Sequence, residues 1–198
     1  MSATLQTLAA PCRHDEEIKK SRFIAQAAPV ASPELALAFV RDVSDADATH
    51  NCWAYRIGQD YRFNDDGEPG GTAGRPILQA IEGQNMDRVV VVVTRWYGDI
   101  KLGAGGLVRA YGGTAAECLR CAPRLPIIAM ARLSLHCSFA ELALLKARMK
   151  DWQAGMESES FDADGVQIEL QLPDSRVDDV IARVIDITRG RSTAKRMD

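Results

Sequence analysis

Residues 94–113, TRWYGDIKLGAGGLVRAYGG, follow five consecutive valines and gather three basic residues, two tyrosines, a tryptophan and six glycines in twenty positions. A glycine-rich turn between a strand and a helix aims backbone N–H groups outward, and the helix dipole adds positive potential, so together they attract an anion. Arg95, Lys101 and Arg109 add formal charge, and Tyr97 adds a ring. Gly103, Gly105 and Gly106 let a ligand approach the backbone. The segment is not a P-loop, because no Lys-Ser/Thr pair follows its last glycine. GAGGLV also lacks the third glycine of a dinucleotide fingerprint. Two readings stay open: a phosphate or nucleic-acid contact, and a tight corner that needs positive φ.

Other stretches carry chemistry-bearing residues. In FNDDGEPGGTAGRP (63–76), Asp65, Asp66 and Glu68 have the types to hold Mg²⁺ or to act as acid and base. Asp-Gly and Pro-Gly are turn dipeptides, however, and no further ligand stands at a motif spacing, so no metal site is assigned. Arg75 at the end of this loop is a candidate phosphate contact. In THNCWAYRIG (49–58), His50 and Cys52 share one side of a strand. A Cys–His nucleophile also needs an orienting group, and zinc needs more ligands. The favoured reading is a polar pair at a strand end beside a packed Trp53. Cys118-Leu-Arg-Cys121 falls at the end of a helix, where the dipole does not activate a thiol, and reads as packing. In KKSRFIA (19–25), Lys19, Lys20 and Arg22 lead into Phe23 and Ile24, a phosphate contact or a solvated strand end. No catalytic residue, metal or cofactor is assigned.

These residues need elements to hold them. Strands are expected over 5–11, 21–29, 51–58 and 89–93. The unbroken valine run suits a central strand covered on both faces. A helix over 32–43 is capped by Ser32, with Pro33 in its first turn and Leu35, Phe39 and Val43 on one face. Residues 64–81 begin as a loop and end in a short helix, and 105–122 form a longer one. After Pro123 and Pro126 the rhythm changes. A strand is expected over 131–139. A helix over 138–152 carries a capping box at Ser138 and Glu141, with Leu142, Leu145, Met149 and Trp152 on one face. A hairpin is expected over 156–161 and 166–173, and a helix over 175–188 capped by Ser175. This βαββα order suits two helices on one face of an antiparallel sheet.

The 198 residues are 46% hydrophobic and 26% charged, with a net charge of −3, which fits globular domains. Basic residues divide 14 to 10 between 1–131 and 132–198, and acidic residues 15 to 12, so neither part is a basic module. Any nucleic-acid contact is therefore local. No apolar run spans a membrane and no signal-peptide pattern opens the chain. Five cysteines fit reduced thiols, and the protein is expected in the cytoplasm.

In order and in spacing, KKSRFIA, THNCWAYRIG, DDGEPGGTAGRPIL and VVVVVTRWYGDIKLGAGGLVRAYG resemble the signature segments of the IMPACT family, bacterial YigZ branch, over residues 15–120. Residues 132–198 resemble that branch's small C-terminal domain, chiefly in element order. The resemblance implies an α/β (α+β) chain. Residues 1–130 would form a domain of the ribosomal-protein S5 second-domain type. Residues 131–198 would form a ferredoxin-like domain similar to the last domain of elongation factor G. Eukaryotic relatives regulate translation, and the resemblance implies no agreed catalytic residues.

The expected function is a non-enzymatic, translation-associated regulator that binds RNA or the ribosome. Arg22, Arg75, Arg95, Tyr97, Lys101, Gly103, Gly105, Gly106 and Arg109 are the candidate contacts, and His50, Trp53, Asp65, Asp66 and Glu68 form a secondary site. Two alternatives are a nucleotide- or phosphate-binding enzyme that uses the acidic loop, and an adaptor that binds a translation-control protein. A closed pocket joining His50, Asp66 and the turn would favour the enzyme, and a flat basic face would favour RNA.

Overall fold

The computed structural model describes residues 4–197. The chain divides into two compact units, Met1–Ile127 and Ile128–Asp198. Among the described residues no helix is long and apolar enough to cross a membrane.

The first unit contains β1 (Gln6–Leu8), β2 (Cys12–Ile18), β3 (Ser21–Pro29), α1 (Pro33–Val43), β4 (His50–Ile57), β5 (Asp60–Asn64), α2 (Gly74–Gly83), β6 (Val89–Trp96), α3 (Ala104–Cys121) and β7 (Arg124–Pro126). Five of the strands form an antiparallel sheet in the order β2-β3-β6-β4-β5, while β1 and β7 pair as a separate ribbon. The valine run occupies the central strand. Alternate valines point to opposite faces. Val89, Val91 and Val93 pack with Phe23, Ala54, Ile77, Leu107 and Tyr111 beneath α2 and α3. Val90 and Val92 pack with Ala36, Val40 and Tyr55 beneath α1. Both faces are covered, which is why the run shows no polar alternation.

Ser32 caps α1, accepting the Leu35 N–H, with Pro33 in the first turn. The buried stripe of α1 centres on Ala36 and Val40; Leu35, expected inside, is 55% exposed. One helix on this face needs only a narrow stripe, and small Ala36 brings the backbone close to the sheet. Three strands were not anticipated, among them the three-residue β7 beside the expected break at Pro123 and Pro126. In β2 the half-buried positions include His14 and Glu16, so its alternation does not read as apolar and polar. β5 is a short, mostly exposed edge.

The second unit contains β8 (Met130–Cys137), α4 (Phe139–Trp152), β9 (Gly155–Phe161), β10 (Val166–Pro173), α5 (Val177–Ile187) and β11 (Lys195–Met197). Its antiparallel sheet runs β11-β8-β10-β9. Leu133, Leu135, Ile168 and Leu170 alternate inward against Leu145, Trp152, Val180 and Val184. The intervening Arg132 lies on the other face and pairs with Glu157 and Glu169. The Ser138 backbone N–H and hydroxyl donate to the Glu141 carboxylate at 3.0 and 2.8 Å, closing the start of α4. Ser175 does not cap α5. It lies in a 3-10 turn over Asp174–Arg176 that leads into the helix without a side-chain cap. The chain also adds β11, a short edge that the βαββα reading omitted.

Candidate functional site

The site grows from where β6 leaves the valine run. Arg95 has the same strand parity as Val91 and Val93, so its side chain enters the α2–α3 side of the sheet and is 6% exposed. It lies between the rings of Phe23 and Tyr97, 5.5 Å from each centroid. A buried guanidinium needs a counter-charge. Glu68 supplies it, with Arg95 Nη1 donating to Glu68 Oε1 at 2.6 Å. Tyr111 of α3 donates its hydroxyl to the same oxygen at 2.7 Å. Burial pushes the Tyr111 phenol well above its ordinary value, so it stays a donor.

The loop before α2 delivers Glu68. Asp65 clamps it by accepting the N–H groups of Gly71, Ala73 and Gly74 at 2.8, 3.0 and 2.8 Å. Burial raises the Asp65 pKa, but these three donors outweigh it and hold the carboxyl below the usual range. Asp66 accepts the Asn51 N–H at 2.6 Å. Both aspartates are thus engaged in holding the loop, and Glu68 alone of the acidic trio is buried.

β4 sets His50 opposite Arg95 in register. Its Nδ1 lies 2.7 Å from the Asp66 carbonyl oxygen. A carbonyl only accepts, so Nδ1 carries a hydrogen. Nε2 lies 3.8 Å from Glu68 Oε1. Cys52, two residues on, faces the same side, but burial pushes its thiol up to about 12, and it donates to the Asp65 carbonyl at 3.0 Å. It is a protonated packing residue rather than a nucleophile.

The glycine-rich turn closes the site. A Cβ on Gly98 would lie 1.9 Å from the Lys20 carbonyl oxygen, so only glycine fits there. Gly103, at φ 72°, opens α3, and no side chain caps the helix among the described residues; its first turn carries no acidic residue. Its N-terminal N–H groups therefore stay available to an anion. The turn and the strand ends border an open cleft of about 390 Å³. It is lined by His50, Glu68 and Arg95, by Tyr97, Lys101, Leu102 and Gly103 of the turn, by Ala104 and Leu107 of α3, and by Thr49 and Pro69.

The candidate contacts separate. Tyr97, Lys101, Gly103 and Arg95 line the cavity with His50 and Glu68. Arg95 is neutralised there by Glu68 and does not present itself to solvent. Gly105 and Gly106 lie in the first turn of α3, and Arg109 lines a separate depression with Lys19. Arg75 is exposed on the first turn of α2. Arg22 and Trp53 have the opposite strand parity and reach the α1 face. There Arg22 pairs with Asp15 at 2.7 Å and covers Trp96, while Trp53 stacks on Tyr55. Tyr111 and Thr49 were not anticipated. Tyr111 follows Leu107 on the buried stripe of α3 and reads from sequence as core. Among the described residues no group of three or more His, Cys, Asp or Glu is placed to hold a metal ion.

Comparison with known proteins places these features in a family. Residues 19–119 match the Impact N-terminal domain, and residues 135–191 match a domain of unknown function. The chain is 48% identical over 179 residues to an IMPACT family member of Thermus thermophilus, covering 88% of this chain and 97% of that one. It is 37% identical over 189 residues to the IMPACT family member YigZ of Escherichia coli, covering 92% of each. A crystal structure of a hypothetical protein superimposes with a TM-score of 0.70 at 34% identity, over 100% of this chain and 99% of the other. The chain belongs to the IMPACT family.

Proposed function

We propose that the first unit binds RNA by taking one nucleotide into this cavity, and that the protein acts as a non-enzymatic regulator of translation. The observation that carries the reading is the meeting of three features in one cavity: the uncapped start of α3, the Lys101 ammonium and the exposed Tyr97 ring. A phosphate suits the helix start and Lys101. A base suits stacking on Tyr97. The Glu68 carboxylate is an acceptor for sugar hydroxyls, and His50 Nε2 lies 3.8 Å from it. The cavity volume matches sites for small ligands, so a single nucleotide is favoured over a backbone tracked along a flat face. The regulatory role draws on the family, whose eukaryotic members regulate translation.

The test is fluorescence anisotropy with a labelled single-stranded oligoribonucleotide at several salt concentrations. Lys101→Glu should weaken binding by roughly tenfold and lower the salt slope by about 1. Arg22→Glu and Arg75→Glu, outside the cavity, should change it far less. Wild-type binding by Lys101→Glu at every salt concentration would overturn the reading.

A second reading, a small-molecule enzyme, is favoured by His50 Nε2 lying 3.8 Å from the buried Glu68 carboxylate. Millimolar free nucleotide should then raise the melting temperature and be turned over, with turnover lost in His50→Ala.

A further inference from the structure

None of the five thiols is in a disulfide, yet two of them touch. The sulfurs of Cys12 and Cys118 lie 3.6 Å apart and share a hydrogen bond. Cys12 is the first residue of β2, an edge strand, and is half-buried. Cys118 is buried near the end of α3. The contact joins two elements 106 residues apart. Cys118 thus meets Cys12 and not Cys121, its neighbour in the CxxC spacing that reads as packing. Cys121 is exposed and directs its sulfur to Glu117.

We propose that Cys12 and Cys118 form an oxidisable dithiol that closes to a disulfide when a peroxide reaches Cys12, locking the sheet edge to α3. The Cys12 thiolate attacks one peroxide oxygen. The O–O bond breaks, hydroxide leaves and takes up a proton as water, and Cys12 becomes a sulfenic acid. The Cys118 sulfur then attacks the Cys12 sulfur. The S–S bond forms, the S–O bond breaks, and the departing hydroxide takes the Cys118 proton as a second water. Two thiols lose two electrons and one peroxide gains them. The order of attack follows from the surroundings. The hydrogen bond shared with Cys118 holds the Cys12 thiol below its ordinary value against the effect of burial. The same hydrogen bond, with burial, pushes Cys118 up, which keeps it protonated until the sulfenic acid forms. Closure to an S–S distance of about 2.0 Å needs the sulfurs to approach by about 1.6 Å.

The test treats the whole chain with hydrogen peroxide, blocks free thiols and maps peptides without reduction. The expected product is an intramolecular Cys12–Cys118 cross-link, with a mass lower by two hydrogen atoms and reversed by dithiothreitol. Cys121→Ser should still form it. Cys118→Ser should stop at a Cys12 sulfenic acid that a dimedone probe traps. A cross-link through Cys121, a cross-link between chains, or Cys12 left fully alkylatable would each overturn the proposal. The oxidised chain should melt several degrees above the reduced one, roughly as expected for a cross-link closing a long loop. An unchanged or lower melting temperature would overturn the locking role.

Discussion

Glu68 of the first unit and Glu141 of the second are both withdrawn from water, with side chains 4% and 6% exposed, and each meets an arginine at 2.6 Å. Their arginines differ. Arg95 is 6% exposed, whereas Arg191 is 62% exposed. Glu141 also accepts the backbone N–H and hydroxyl of Ser138, so it satisfies a donor at the start of its own helix. Glu68 serves no helix. Its partners come from β6 and α3, with His50 of β4 nearby, and it lines a cavity. Capping explains Glu141 as a stabilising residue. A fully buried ion pair is a poor route to stability, because desolvating both charges offsets most of their attraction. The difference teaches that capping accounts for Glu141 and not for Glu68, and the proposed binding role supplies an account of Glu68 and Arg95.

The sharpest way to break this comparison is to remove each carboxylate. Glu68→Ala leaves the Arg95 guanidinium buried and unpaired, and should lower the unfolding free energy by about 3–5 kcal/mol in urea titration. Replacing both partners, as Glu68→Leu with Arg95→Met, should recover most of that loss while abolishing ligand binding in the cavity. That separation of stability from binding is the signature of a functional pair. If the double variant is as unstable as the single one, Glu68 and Arg95 are structural after all.

Asp65 sharpens the comparison through pH. Its folded carboxyl is held below the usual range, so its contribution is present above the unfolded value of about 3.9 and is lost as pH falls through the depressed folded value. Asp65→Asn should lower stability at neutral pH by about 1–3 kcal/mol, since the amide accepts through one oxygen only. It should also flatten the acid limb of stability below about pH 4. An acid limb unchanged in Asp65→Asn would show that the loop carrying Glu68 is held by other contacts.

Much of the scaffold was legible from periodicity and caps. The valine run placed the central strand, Ser32 with Pro33 marked α1, and Ser138 with Glu141 marked α4. β2 was not legible, because Cys12, His14 and Glu16 face inward at a partly wet edge. Glu16 there accepts a hydrogen bond from Thr114 rather than packing as an apolar residue. Within the site, Lys101 and Gly103 followed from the turn chemistry. The inward course of Arg95 was available from its parity with Val91 and Val93, as was the outward course of Arg22 and Trp53. The meeting of Tyr111 with Glu68 was not available. It depends on tertiary contact across 43 residues, and a tyrosine on an apolar helix stripe carries no mark of it.

The smallest effects test the other half of the comparison. Glu141→Ala should cost about 1–2 kcal/mol, as loss of a helix-start contact does. Arg191→Ala should cost less than about 1 kcal/mol, because an exposed cation retains water and salt screens its attraction. Raising sodium chloride from 0.1 to about 1 M shortens the Debye length from about 10 to about 3 Å, and should erase most of the Arg191 contribution while leaving that of Glu141. The Glu141 carboxyl lies below its usual range chiefly through Ser138, whose donors are held in the same helix start and do not depend on Arg191. Arg191→Ala should therefore leave most of the acid sensitivity of Glu141 in place. If it instead abolishes that sensitivity, the ion pair rather than the cap holds Glu141, and the two carboxylates are more alike than their surroundings indicate.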